Sequence, residues 1–287
     1  QVLLSNALPE GRVSFHADML AYDPKNSMGI TAGLNPEQTV APGTSKTYTF
    51  FAHPEYGEGA ALIRDWGNVL VNPGLGLFGA IIVGPEGATY SDPVTGEGLS
   101  LASSWRADVH PLDGPSYRDF ALFMQDEDPV IGTHLMPYSH MVEGVVGLNY
   151  ASSPLEGTGE PIPDTTVSWS GDTYADPSTP VLGAFAGDAG RIHVMVPLSE
   201  QNQVFSIEGH EWPLEPGMEG SDLLSSVQIG GVETLNIVID GGAGGRFSVP
   251  GGYLYGDHRL PYREVGLWGL LRVYAPGDAG ARISTLD

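Results

Sequence analysis

The sequence predicts an all-β protein built as two tandem β-sandwiches, and three observations lead there. Forty glycines and 23 prolines in 287 residues place turns at short intervals, which suits many short strands better than long helices. Between those turns lie short runs rich in β-branched and aromatic residues, while helical periodicity is weak throughout. Two stretches also share one layout: GLGLFGAIIVGPEG at 74–87 and EVGLWGLLRVYAPG at 264–277 each have a Gly-Leu-aromatic-Gly opening, an apolar strand and a proline-containing exit turn. That repeats the end of a domain, so two copies of one domain type are expected in tandem.

Taken in chain order, strands are expected at 12–15, 45–52, 78–83, 120–124, 191–196, 203–207, 234–239 and 268–274, each an apolar or β-branched run closed by turn residues. A helical turn is expected within 55–64, the one place where the pattern leans that way. The tract at 152–180, SSPLEGTGEPIPDTTVSWSGDTYADPSTP, has few apolar residues and reads as a long surface connection. It falls inside the second domain, because strands on both sides of it are needed to fill one sandwich. The boundary is expected between 91 and 101, after the apolar strand and its Gly84-Pro85-Glu86-Gly87 turn, giving domains of 1–95 and 96–287.

Twelve Lys and Arg stand against 35 Asp and Glu, a formal net charge of −23. Nucleic acid and anionic membranes are therefore poor partners, since both bind through positive charge. The carboxylates are read first as a solvating surface and only second as a place where Mn²⁺ or Ca²⁺ would gather. There is no cysteine, which removes disulfides, zinc-thiolate sites, cysteine nucleophiles and a His₂Cys blue-copper centre together. No apolar run approaches the ~20 residues of a membrane-spanning helix. The chain starts at Gln1 and shows no signal sequence, so it is expected to be a piece of something longer or one partner in an assembly.

The stretch GGYLYGDHRLPYREVGLWGLLRV at 251–273 resembles the last strand and loop of a multicopper oxidase, with Tyr255, Gly256 and Asp257 standing where that family has His-Cys-His. Further landmarks match in the same way. Asn6-Ala7-Leu8-Pro9-Glu10 precedes His16-Ala17-Asp18, which resembles a His-x-His ligand pair with Asp18 in the second place. Arg64 and Trp66 stand at the next such pair, ahead of the Gly-Leu-aromatic-Gly strand. FALFMQDED and MPYSHMVEGVVGLNY, at 120–128 and 136–150, resemble the strand and loop that open a later domain. In 202–210, NQVFSIEGH resembles the family's His-x-x-His-x-His-Gly-His region, with Ser206 and Glu208 replacing two ligands and Gly209-His210 retained.

Nearly the whole chain is thus similar to multicopper oxidases, most of all to the large multi-domain bacterial manganese-oxidising branch. The resemblance implies tandem cupredoxin-like Greek-key β-sandwiches, the first lacking its opening strands. It also implies copper in the parent family, other cupredoxin domains as partners and a secreted or extracytoplasmic location. A trinuclear oxygen-reducing cluster needs about eight neutral imidazoles. The chain has eight histidines in all, and few fall at matching positions. Copper is therefore not expected on this chain, and no catalytic residue is assigned.

What remains as candidate metal ligands is His16 with Asp18, His53, His210, and Asp257 with His258. Mixed imidazole and carboxylate sets suit Mn²⁺ or Fe²⁺ better than Cu⁺, but no two of these imidazoles have a spacing diagnostic of a site, so His210 and His258 read first as hydrogen-bonded structural residues at strand ends. His134, Met136, His140 and Met141 could form a His/Met copper pair, though packing is the commoner use of such residues. Residues 125–129, QDEDP, form an acidic strand-end turn without the spacing of a calcium loop. GGAGG at 241–245 lacks the Lys-Ser/Thr of a phosphate loop. Trp66, Trp212 and Trp268 are expected to fill an interior or the interdomain seam, and Arg259 and Arg263 to pair with Asp257 and Glu264. Three functions follow: a copper-free supporting pair within a large oxidase, an oxidase retaining a His/carboxylate metal site, or an open-edged β-domain subunit of an extracellular structural assembly.

Overall fold

The computed structural model describes residues 1–69, 71–99, 104–126, 146–155, 169–171, 175–199 and 201–286. The first half contributes β1 (Val2–Ser5), β2 (His16–Ala17), β3 (Ala21–Tyr22), β4 (Ser45–Tyr48), β5 (Phe50–Phe51), β6 (Gly59–Arg64) and β7 (Phe78–Val83). These form three small sheets, β1-β4, β2-β6-β7 and β3-β5. The second half contributes β8 (Thr89–Ser91), β9 (Arg106–His110), β10 (Tyr117–Asp126), β11 (Val146–Leu148), β12 (Val181–Phe185), β13 (Gly190–Ser199), β14 (Gln203–Ile207), β15 (Trp212–Pro213), β16 (Leu223–Leu224), β17 (Ser226–Ile229), β18 (Thr234–Val238), β19 (Gly251–Asp257) and β20 (Trp268–Tyr274). One sheet runs β18-β13-β10-β9-β8 with β11 also on β10, and the facing sheet runs β12-β20-β19-β14-β17.

Strict alternation builds the second sandwich. On β10, Phe120, Leu122 and Met124 point into the core; on β13, Ile192, Val194 and Val196 do the same. They meet Phe205, Ile207, Tyr255, Leu271 and Val273 of the facing sheet, and Trp212 closes the layer at 1% exposure. The opposite faces of β10 and β13 are buried as well, because Ala121 and Met195 pack against Ala60 and Leu62 of β6. With both sides covered, 117–126 and 190–199 are buried along almost their whole length, polar residues included. These two strands also pair parallel to each other, as β12 does with β20, so each sheet carries a crossover.

Two expectations change. The helical turn expected within 55–64 is only a 3-10 turn at Pro54–Tyr56, and β6 follows it at once, because Ala60 and Leu62 face one covered surface while Ala61 faces another. The strand expected at 12–15 shrinks to a single bridge between Val13 and Val40; the pairing strand is β1, further upstream. His134, Met136, His140 and Met141, residues 127–129 of the acidic turn, and 156–168 and 172–174 of the long connection lie outside the described residues.

One buried charge ties distant segments together. Arg118 on β10 is fully buried; its Nη1 lies 2.9 Å from Asp108 Oδ1 on β9 and its Nε 2.7 Å from Asp188 Oδ2 in the turn before β13. Its Nη2 donates to the Ser284 carbonyl, so the C-terminal tail closes over the same guanidinium. Arg suits this place because its planar fork serves three acceptors at once. Truncating Arg118 to Ala leaves two carboxylates without their cation and should lower the unfolding free energy by about 3–5 kcal/mol, read from the urea midpoint.

Candidate functional site

The resemblance placed His16, Asp18, Arg64 and Trp66 at two ligand pairs, and the structure brings all four together. His16 and Arg64 are partners across the β2–β6 ladder. His16 Nδ1 lies 2.6 Å from the Met28 carbonyl, and Nε2 lies 2.9 Å from Asp18 Oδ1. Arg64 Nε completes the chain at 3.2 Å from Asp18 Oδ2, and its guanidinium lies over the Trp66 ring. Burial works against the Asp18 carboxylate, but His16 and Arg64 outweigh it and hold its pKa below the usual range. Both ring nitrogens of His16 are committed to partners within the chain.

The second cluster lies where β14 meets β19, with Ser206 opposite Gly256 and Ile207 opposite Tyr255. Tyr255 is wholly buried in the core, and its hydroxyl donates to the Pro180 carbonyl at 2.6 Å. Gly256 has φ +133°, and a Cβ added there would lie 2.3 Å from the Leu267 carbonyl oxygen and 2.8 Å from Trp268 Cα. Asp257 is also fully buried; its Oδ1 accepts from the backbone N–H of Arg259 at 2.9 Å and of Val204 at 3.1 Å. Its Oδ2 is buried without a donor, and burial pushes the Asp257 pKa up. His258 turns its Nδ1 to Ser206 Oγ at 3.1 Å.

The arginines act differently from expectation. Arg263 Nε donates to the Asp257 backbone carbonyl at 2.8 Å, and its Nη1 lies 3.5 Å from Glu208. Arg259 donates to the Asn202 carbonyl and to Gln201. Neither pairs with the Asp257 carboxylate, because that side chain is turned inward beneath the loop.

His210 and His53 stand apart from these clusters. His210 donates from Nδ1 to the Glu208 carbonyl at 2.9 Å, and its Nε2 accepts from the Gly244 N–H at 3.0 Å. An accepting Nε2 requires the neutral ring, in keeping with burial lowering its pKa. His53 caps the 3-10 turn, its Nδ1 accepting from the Glu55 N–H at 3.2 Å. Among the described residues, no three His, Asp or Glu side chains group as a metal would need.

A further polar site, at the seam of the two halves, escaped sequence reading. His193 on β13 is 3% exposed, on the face turned toward the first half. Its Nδ1 donates to Asn236 Oδ1 at 2.6 Å, and the same oxygen accepts from the Ala60 N–H of β6 at 3.0 Å. Its Nε2 lies 2.9 Å from Asp119 Oδ1 on β10, in ionic contact but out of line for a hydrogen bond. Glycine is required at 59, where φ is +151° and a Cβ would lie 2.8 Å from the Asn236 amide nitrogen. The signal available in the sequence was a histidine at an outward position within the apolar run IHVMV at 192–196.

No protein-family model matches the sequence, and no curated protein does. Solved structures do: a copper nitrite reductase from Nitrosomonas europaea superposes with a TM-score of 0.59 at 16% identity, covering 98% of this chain and 81% of the other. A blue copper oxidase from the same organism gives 0.59 at 15%, covering 96% and 72%, and a multicopper oxidase gives 0.57 at 18%, covering 95% and 73%. At such identities the likeness establishes the fold. The chain consists of tandem cupredoxin-like Greek-key β-sandwiches, as multicopper oxidases do.

The His193 contacts give a pH dependence. Burial pulls its pKa down, yet Asp119 and Asn236 outweigh this and leave it above the ordinary 6.5. The stabilisation is therefore complete below pH 6.5 and fades as pH rises through the higher folded-state value. Urea midpoints taken from acid to about pH 9 should show this decline, and His193→Gln should flatten it.

Proposed function

We propose that this chain is a pair of degenerate cupredoxin sandwiches within a multicopper-oxidase-like extracellular protein, and that it serves as a copper-free support whose acidic surface faces the substrate. Gly256 carries this reading. The resemblance puts the electron-accepting thiolate there, and a backbone at φ +133° with the Leu267 carbonyl 2.3 Å from any Cβ has no room for a side chain. The flanking places are equally unsuited. Tyr255 is core, and Asp257 has one oxygen engaged by two backbone donors and the other enclosed. His16 has both ring nitrogens occupied, and Arg64 brings a cation against it where a second ligand would be.

Copper cycling between oxidation states needs neutral imidazole and thiolate donors, and the residues at these places do not fit it. Oxidation of metal ions such as Mn²⁺ is then the work of copper in other domains. The net charge of −23 would raise the local concentration of a divalent substrate by attraction over the whole surface. The cupredoxin-like fold supports the parentage and does not by itself assign a reaction.

Elemental analysis of the purified chain after copper loading and dialysis should find no stoichiometric copper, and oxygen uptake with Mn²⁺ or a phenol should stay at the buffer rate. One copper bound per chain would overturn the reading. Gly256→Cys should neither produce the intense blue absorbance of a copper thiolate nor leave stability intact; a loss of about 2–4 kcal/mol is expected from the forced backbone shift.

A further inference from the structure

The seam between the halves is only partly filled. Next to the apolar contact of Ala60 and Leu62 with Ala121 and Met195, a cavity of about 910 Å³ opens between β7 and the outward face of β8, β9, β10 and β13. Aromatic side chains form much of its wall: Phe78, Trp105, Phe123 and Tyr150, with the Phe78 and Tyr150 rings stacked at 4.8 Å. Asp119 and His193 also line it.

We propose that this cavity binds a primary organic ammonium ion carried on a compact apolar body. Asp119 is 8% exposed; its Oδ1 pairs with His193 Nε2 at 2.9 Å from the side and, among the described residues, accepts no aligned hydrogen bond. A buried carboxylate without aligned donors is a costly arrangement that a ligand can relieve. An ammonium group brings three donors and a positive charge to it. Ring faces carry the negative end of the aromatic quadrupole, so the same walls that accept an apolar body also favour a cation.

The alternatives fit less well. Arg106, the other cation of the wall, is held by Asp92 at 3.2 Å and lies over the Trp105 ring, so it is not free to receive an anion. A carboxylate ligand would face Asp119 directly. An uncharged ligand would leave the Asp119 carboxylate with the sideways contact of His193 alone. The surplus of 35 acidic over 12 basic residues also favours the approach of cations.

Calorimetric titration of the whole chain with benzylammonium, benzyl alcohol and benzoate separates charge from shape. Benzylammonium should bind saturably at one site, about tenfold or more tighter than the alcohol, with benzoate not binding. Asp119→Asn should weaken benzylammonium about tenfold and leave the alcohol unchanged. Because that change also removes the partner of His193, Tyr150→Leu provides a second variant at the exposed rim; it should weaken benzylammonium about two- to fivefold. Equal affinity for amine and alcohol, tighter binding of benzoate, an Asp119→Asn protein that binds the amine as before, or no saturable binding would each overturn the proposal. None of these outcomes bears on copper content, so this proposal and the copper-free reading stand or fall separately.

Discussion

Burial of β10 and β13 on both faces is the constraint around which the molecule is arranged. Two parallel neighbours at the middle of a sheet cannot leave one side open to water when that side carries Met195, Ala121 and Phe123. The β6 strand lies across them, and Ala60 and Leu62 are small and smooth enough to approach closely. Only a strand with apolar residues on both of its own faces can do this, which is why β6 also supplies Ala61 to the core of the first half. The polar consequence sits beside the apolar one: His193, Asn236 and the Ala60 N–H share a single oxygen across the seam.

The same need for internal satisfaction shapes the places where the resemblance puts metal ligands. A buried imidazole or carboxylate must find partners, and here the partners are other residues of the chain. His16 meets a carbonyl and Asp18, Asp18 meets Arg64, and His210 meets one carbonyl and one N–H. A ring nitrogen engaged in this way, whether it donates or accepts, is not offered to a cation. Arg64 and Arg263 bring positive charge to these clusters, and their forks reach several acceptors at once.

Fold and chemistry therefore separate along the chain. The sandwich depends on alternation and on turns, and both tolerate wide change in the residues that project from strand ends. Metal chemistry depends on a few donors held in one geometry, and replacement of one of them removes it. Between the two halves the fold leaves a concavity, lined by residues that have no part in either polar cluster. Asp119 lies on the outer face of β10, which forms a wall of that concavity.

From sequence by itself came the all-β class, the tandem arrangement, the approximate course of the main strands and the exclusion of thiolate chemistry. These rest on local causes: turn residues, period-two alternation and the plain absence of cysteine. The convergence of His16, Asp18, Arg64 and Trp66 was readable only through the resemblance, since 46 residues separate Asp18 from Arg64. Tertiary structure alone decided the rest. It made β6 a strand, since its alternation is hidden when both faces are covered, and it turned Asp257 inward so that Arg263 holds the backbone instead of the carboxylate. It also created the seam site, because His193, Asn236, Asp119 and Ala60 lie on four different strands and no periodicity within one strand can show what another will bring against it.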